Sequence, residues 1–218
     1  MTEAQPDKRT AILDTALVLF TTRGFQGTPT SLISREAGVA TGTLFFYFKT
    51  KEELIDELYR VIKSEAGSAI KEGIENKNSV REKICQVGRN GIAWGIKNPE
   101  KMQFMEQFAH SPFVSTTAHE EGMSHFLFLQ ELIRAGIKEG VIRNYDPDLI
   151  CMMLATSLSG LIARVMAEPD PKKRDLLVGQ GMEFLWNGIA AESKNDPLCD
   201  NDRTRTPGRN GTGIQETP

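Results

Sequence analysis

The chain is poor in residues that cross-link or catalyse. Its three cysteines, Cys85, Cys151 and Cys199, lie far apart. A disulfide scaffold needs a denser, paired set, so the cysteines read as reduced and intracellular. Its three histidines, His110, His119 and His125, are spaced by nine and six residues. That is no helical ligand spacing and no cysteine lies near, so no metal or other cofactor is expected. Gly-x-Ser-x-Gly, His-Glu-x-x-His, Gly-x-x-x-x-Gly-Lys and Cys-x-x-Cys are all missing, which removes the commonest signatures of catalysis. No alternating strand pattern exceeds four residues, and no Asn-Gly or Asp-Gly turn joins two apolar runs. The first twenty residues include Glu3, Asp7, Lys8, Arg9 and Asp14 and hold no unbroken apolar region, which argues against a signal peptide. The longest uncharged apolar stretch, 149–163, has 15 residues, short of a bilayer span. A soluble, cytoplasmic protein without a membrane partner is expected.

What is present is globular. Apolar residues make up 39% and charged residues 25% of 218, enough for one or two domains with a real core. The net charge of −3 hides a polarity. Residues 8–51 carry six bases and two acids, hence +4, and the rest carries −7. A basic end on an acidic body suits a protein that meets a polyanion at one end.

Helical punctuation recurs along the chain. Ile12, Leu13, Ala16, Leu17 and Phe20 mark one face of a first helix ending near Gly24. Thr28-Pro29 reads as the cap and first residue of a short second helix that ends at Gly38. A third spans about Thr41 to Tyr47, and Lys51-Glu52-Glu53 opens a long fourth. Ser79, Asn98-Pro99, Ser115, Asp146-Pro147 and Asp170-Pro171 start the rest, with the segment from Ser115 running to Gly140. The fold class is all-α with about nine helices. Residues 194–218, with three prolines and two sizeable aliphatics, read as a disordered tail.

The second and third helices fit a helix-turn-helix. Ile33, Ala37, Val39, Leu44 and Phe48 form a compact core, which leaves Thr41, Gly42, Thr43, Phe45, Phe46 and Tyr47 for a groove and its backbone. Arg9-Thr10-Ala11-Ile12-Leu13, Gly24-Phe25, Glu36-Ala37-Gly38-Val39, Gly42-Thr43-Leu44-Phe45-Phe46-Tyr47-Phe48 and Lys51-Glu52-Glu53-Leu54 carry a resemblance. The stretch from Lys8 to Tyr59 resembles, without a gap, the DNA-binding domain of TetR-family transcriptional regulators. Ala40 stands where that family usually has Ser, and Phe45 where it usually has Tyr.

The resemblance implies three regions: a helix-turn-helix domain at 8–54, an effector-binding and dimerisation domain at 55–193, and the tail at 194–218. It implies phosphate contacts from Thr28, Thr30, Tyr47 and Lys51 of double-stranded operator DNA. Ser31, Thr41, Gly42 and Phe45 are then expected toward base edges and Thr43 near the backbone. It turns a Phe- and Met-rich stretch, otherwise plain core, toward an effector pocket for a small hydrophobic or planar molecule. The expected walls are Trp94, Met105, Phe108, Phe126 and Met153, with Ser157 as a polar contact. The nearly all-apolar 149–163 must be covered on two sides, by the chain's own core and by a partner. With Gly181, Phe184, Leu185 and Gly188 it is expected to form a homodimer interface. The function expected is a ligand-released repressor on a palindromic operator. A helical adaptor and an all-α enzyme are the alternatives, and neither needs a phosphate-binding end.

Overall fold

A computed structural model describes residues 7–108 and 111–191. The expected tail and His110 lie outside the described residues. Among the described residues there are ten α-helices, one short 3-10 turn and no strand beyond an isolated bridge between Ile142 and Ala190. They are α1 Lys8–Arg23, α2 Thr30–Glu36, α3 Thr41–Tyr47, α4 Lys51–Lys71, α5 Val80–Lys97, α6 Pro99–Phe108, α7 Thr116–Ser124, α8 Leu127–Lys138, α9 Pro147–Met166 and α10 Pro171–Ile189. The fold class is as expected and the count is one higher. The segment expected as a single helix from Ser115 to Gly140 breaks at His125–Phe126. There α7 approaches α4 so closely that a Cβ on Gly67 would stand 2.7 Å from the Cβ of His125, and one on Gly122 2.7 Å from the Tyr59 ring. Two glycines thus let α7 seat against α4, and the chain then turns so that α8 can reach α9.

Half of the ten helix starts obey local capping chemistry. Thr50 accepts from the Glu53 backbone N–H, Ser79 and Glu82 form a reciprocal capping box, and Asp146 and Asp170 cap α9 and α10 just before a proline. Each such cap contributes about 1 kcal/mol. Thr28 departs from expectation and caps nothing. Its side chain is fully buried, and its Oγ1 donates to the carbonyls of Gly24 at 2.8 Å and Leu19 at 3.1 Å, pinning the α1–α2 loop. Helix α2 starts two residues later, after an extended Pro29.

The chain packs in two parts that share one helix. In the head, Ile12, Ala16, Phe20, Ile33, Leu44, Leu54, Ile55 and Tyr59 are all fully buried. Helices α6 and α7 close this core through Phe104, Phe108 and Ala118. In the body, α5, α8, α9 and α10 surround two smaller clusters, one around Ile133, Ile142 and Trp186 and one around Ile92, Ile162 and Met182. The expected boundary between residues 54 and 55 falls inside α4, so the regions are joined by 21 helical residues, about 32 Å of rigid rod.

Helix α9 corrects the reading of the apolar run. With its first-turn proline and the turn at Arg164–Met166 it reaches 20 residues, and an 18-residue stretch of it has a mean hydropathy of 1.8, long and apolar enough by length and composition to cross a membrane. Here it packs on α5, α8 and α10. The link before it folds onto the end of α10. Gly140 ends α8 with φ 71°, Arg143 N–H donates to Ile189 at 2.8 Å and Ala191 N–H to Val141 at 3.0 Å.

Candidate DNA-reading head and ligand cavity

The reading surface is built by a turn that only a flexible residue tolerates. Gly38, at φ 66°, reverses the chain between α2 and α3. Leu44 and Phe48 anchor α3 from beneath. Thr41, Gly42 and Phe45 are therefore left exposed on the opposite face, and Ser31 near the start of α2 is exposed as well. No atom lies within 4 Å of where a Gly42 side chain would stand, so the helix can approach a surface closely there. Thr41 does not replace the missing cap at Ala40. Its hydroxyl lies 3.1 Å from that of Ser34, joining α2 to α3. Phe46 is 73% exposed, an unusual position for a ring, and packs edge-on against Tyr47.

The expected phosphate contacts divide. Thr30 and Tyr47 are half-buried with outward edges, as is Thr43. Thr28 is removed from the set because its side chain has no exposed surface. Lys51 is half-buried and turned back. Its ammonium donates to the Phe25 carbonyl at 2.9 Å and sits 4.1 Å from that ring's centre. Lys49 closes α3 by donating to the carbonyls of Phe45 and Phe46. Arg9 is held by Glu57, whereas Lys8 and Arg23 are exposed and make no ion pair among the described residues.

Behind the head lies an apolar cavity of about 360 Å³, walled by α4, α5, α6, α8, α9 and α10 together with Phe126. Trp94, Met105 and Phe126 line it as expected. Three expected residues do not. Phe108 turns into the head core, 4.7 Å from the Phe104 ring centre, because α6 packs on α1 through the 104/108 face. Its 102/105/106 face is the one that meets the cavity. Met153 is 55% exposed, because the helical phase that brings Cys151, Leu154, Leu158 and Ile162 to the cavity turns it outward. Ser157 is off the lining by the same phase, and its neighbours Thr156 and Ser159 supply the hydroxyls instead.

The sequence reading missed Lys63, Met182 and Trp186 as wall residues. Lys63 had a visible signal. Tyr59, Lys63, Ala66 and Ile70 are spaced four, three and four, so a lone cation interrupts the inner stripe of α4. Burial pulls its ammonium below the ordinary lysine range. One turn earlier, burial pushes the Tyr59 phenol up to about 12, and its oxygen lies 3.0 Å from His119 Nδ1. His125 is exposed.

The four expected interface residues split by face. Gly181 is an intrachain contact, since a Cβ there would overlap Leu161, and Leu185 lines the cavity. Phe184, 75% exposed, and Gly188, with open space beside it, face outward. Leu176 on α10 and Leu149, Met152, Met153 and Met166 on α9 are exposed apolar side chains as well.

A short helix braced on another, with small residues bared at its start and a basic flank, defines a helix-turn-helix DNA-binding protein. Residues 12–58 match the sequence profile of the family described as bacterial regulatory proteins, tetR family. A crystal structure from Shewanella sp. PV-4, assigned as a tetR family transcription regulator, superposes with a TM-score of 0.79. It is 30% identical, and the match covers 85% of this chain and 100% of that one. The chain belongs to the TetR family of transcriptional regulators. The HTH-type transcriptional regulator UidR of Escherichia coli K12 is 27% identical over 195 residues, 88% of this chain and 97% of its own. The fold is shared with FadR from Bacillus subtilis in complex with stearoyl-CoA, at a TM-score of 0.68 and 21% identity over 83% of this chain and 98% of that one.

Proposed function

We propose that this regulator is a cytoplasmic repressor, not an enzyme, that binds a palindromic operator as a homodimer and is released when a small apolar molecule enters the cavity. One observation carries this reading. Helix α4 buries Leu54, Ile55 and Leu58 in the head while Lys63, Ala66 and Ile70 of the same helix wall the cavity. A ligand that moves the distal half of a rigid helix moves the reader at its other end. A relative of the same fold in complex with stearoyl-CoA supports an apolar occupant.

The outward stripes of α9 and α10 suit pairing with a second copy in a four-helix bundle, which would cover Phe184 and Gly188. In such a dimer the two α3 helices enter successive major grooves about 34–36 Å apart. Ser31, Thr41, Gly42 and Phe45 lie toward base edges in this reading, with Phe45 offering an apolar contact to a thymine methyl. Thr30, Thr43 and Tyr47 lie against the backbone. Lys51 reaches a phosphate only by exchanging its bond to Phe25. Release needs a ligand with unequal affinity for two arrangements, and a shift from 1:99 to 99:1 takes about 5.5 kcal/mol, shared here between two sites.

Duplexes selected from a random pool by the purified protein should contain inverted half-sites, and binding should weaken steeply with salt. Recovery of half-sites without symmetry, or of no preferred sequence at all, would remove the dimeric-repressor reading.

A further inference from the structure

The cavity wall contains one polar feature that the apolar reading leaves without a role. Lys63 projects into it from α4. Its ammonium lies 5.4 Å from the centre of the Tyr59 ring and 5.2 Å from that of Phe126, and its hydrogen-bond acceptor is the Met123 sulfur at 3.8 Å. No carboxylate among the described residues pairs with it. Carboxylates do pair with other cations nearby. Arg60 of α4 is held by Glu57 and Glu121, and Lys101 of α6 by Glu65. The other charged wall residue, Glu106, is exposed and accepts from the Ser159 hydroxyl at 2.9 Å. A half-buried cation set against two ring faces and a thioether carries a partial desolvation penalty that an anion would offset. Desolvation also lowers the proton affinity of this lysine.

We propose that the cavity takes an amphiphile with an anionic head, a carboxylate or a phosphate, whose charge pairs with Lys63 while its apolar body lies along the walls toward Trp186. This rests on the reading of the cavity as the effector site. The volume of 360 Å³ holds about a dozen heavy atoms at roughly 30 Å³ each, a chain of about ten carbons plus its head. Ile70, Val87, Leu129 and Leu154 supply the apolar surface for that body. The ring faces of Tyr59 and Phe126 hold the ammonium in place, so little ordering remains when the anion arrives.

Two tryptophans, Trp94 and Trp186, line the cavity and report its occupancy by their emission. Decanoate, decyl phosphate, decanol and decylamine are titrated into the full chain below their aggregation concentrations. One or both anions should bind at least about tenfold more tightly than the alcohol, and the amine most weakly, as a charge-assisted pair in a largely apolar cavity requires. The tighter of the two anions identifies the head group. Lys63→Met keeps the stem and removes the charge. It should bring acid and alcohol within about twofold of each other, and Lys63→Arg should restore the gap. The proposal is overturned if acid and alcohol bind alike, if decylamine binds best, if the gap survives Lys63→Met, or if none of the four binds. Operator affinity measured alongside separates this from the repressor reading. Anion binding through Lys63 that leaves operator affinity unchanged keeps the inference and removes ligand release. Equal release by acid and alcohol does the reverse.

Discussion

The head and the body of this regulator are packed to different standards. In the head, helices only seven residues long are held by side chains with almost no exposed surface, such as Ile33, Leu44 and Phe20. In the body, helices of 12 to 20 residues surround a void and leave Met152, Met153, Leu176 and Phe184 in solvent. Short helices have little stability of their own and need dense tertiary contact. Long amphipathic ones can tolerate a hollow between them. The contrast teaches where each region is complete. The head is finished as a single chain, whereas the body has one apolar surface inside and one outside that suit a ligand and a second subunit.

Substitutions sharpen that contrast. Phe104→Ala removes a fully buried ring stacked on Phe108 and should cost about 3–5 kcal/mol, read by chemical denaturation. Leu129→Ala in the cavity wall should cost about 1 kcal/mol, because part of its surroundings is already empty. Equal losses would erase the distinction between the two regions. On α10, Phe184→Glu should yield a monomer by light scattering with its helical content kept, and should weaken operator binding by more than about tenfold. Gly181→Ala should instead lower the melting temperature by crowding Leu161, with the oligomeric state unchanged. In the head, Thr28→Val leaves two carbonyls without their donor and should cost about 1–3 kcal/mol, with DNA affinity per folded molecule preserved. A specific loss of DNA affinity at constant stability would return Thr28 to the phosphate contacts. The smallest effect is expected for Arg23→Ala, which should lower the slope of log affinity against log salt by about 1 for every sequence alike.

The sequence made the head legible because its elements are bounded by local chemistry. Gly24 and Gly38 mark the turns after α1 and α2, and the buried set follows a helical period. Thr28 misled because a threonine before a proline has the composition of a cap, whereas its hydroxyl is used as a donor in a loop. The body was legible only to the nearest helix face. Phe108 and Met153 each lie near true wall residues, and which face of α6 or α9 meets the cavity depends on the angle at which neighbours cross them. Gly181 and Gly188 look equivalent in sequence. Seven residues fall only about 20° short of two turns, so both lie on nearly one face, yet one packs on Leu161 of α9 and the other, two turns further on, is open. The break at His125 left no proline or cap signal, since close approach of α7 to Gly67 produces it.

The central claim is that occupancy of the cavity is transmitted along α4 to the reader. It is tested most directly by following a labelled operator duplex by fluorescence anisotropy while a cavity ligand is added, with Trp94 and Trp186 emission reporting occupancy in the same sample. The account predicts that operator affinity falls by at least about tenfold as the emission change saturates, with the two transitions superimposed. Full saturation of the cavity with operator affinity unchanged would contradict it.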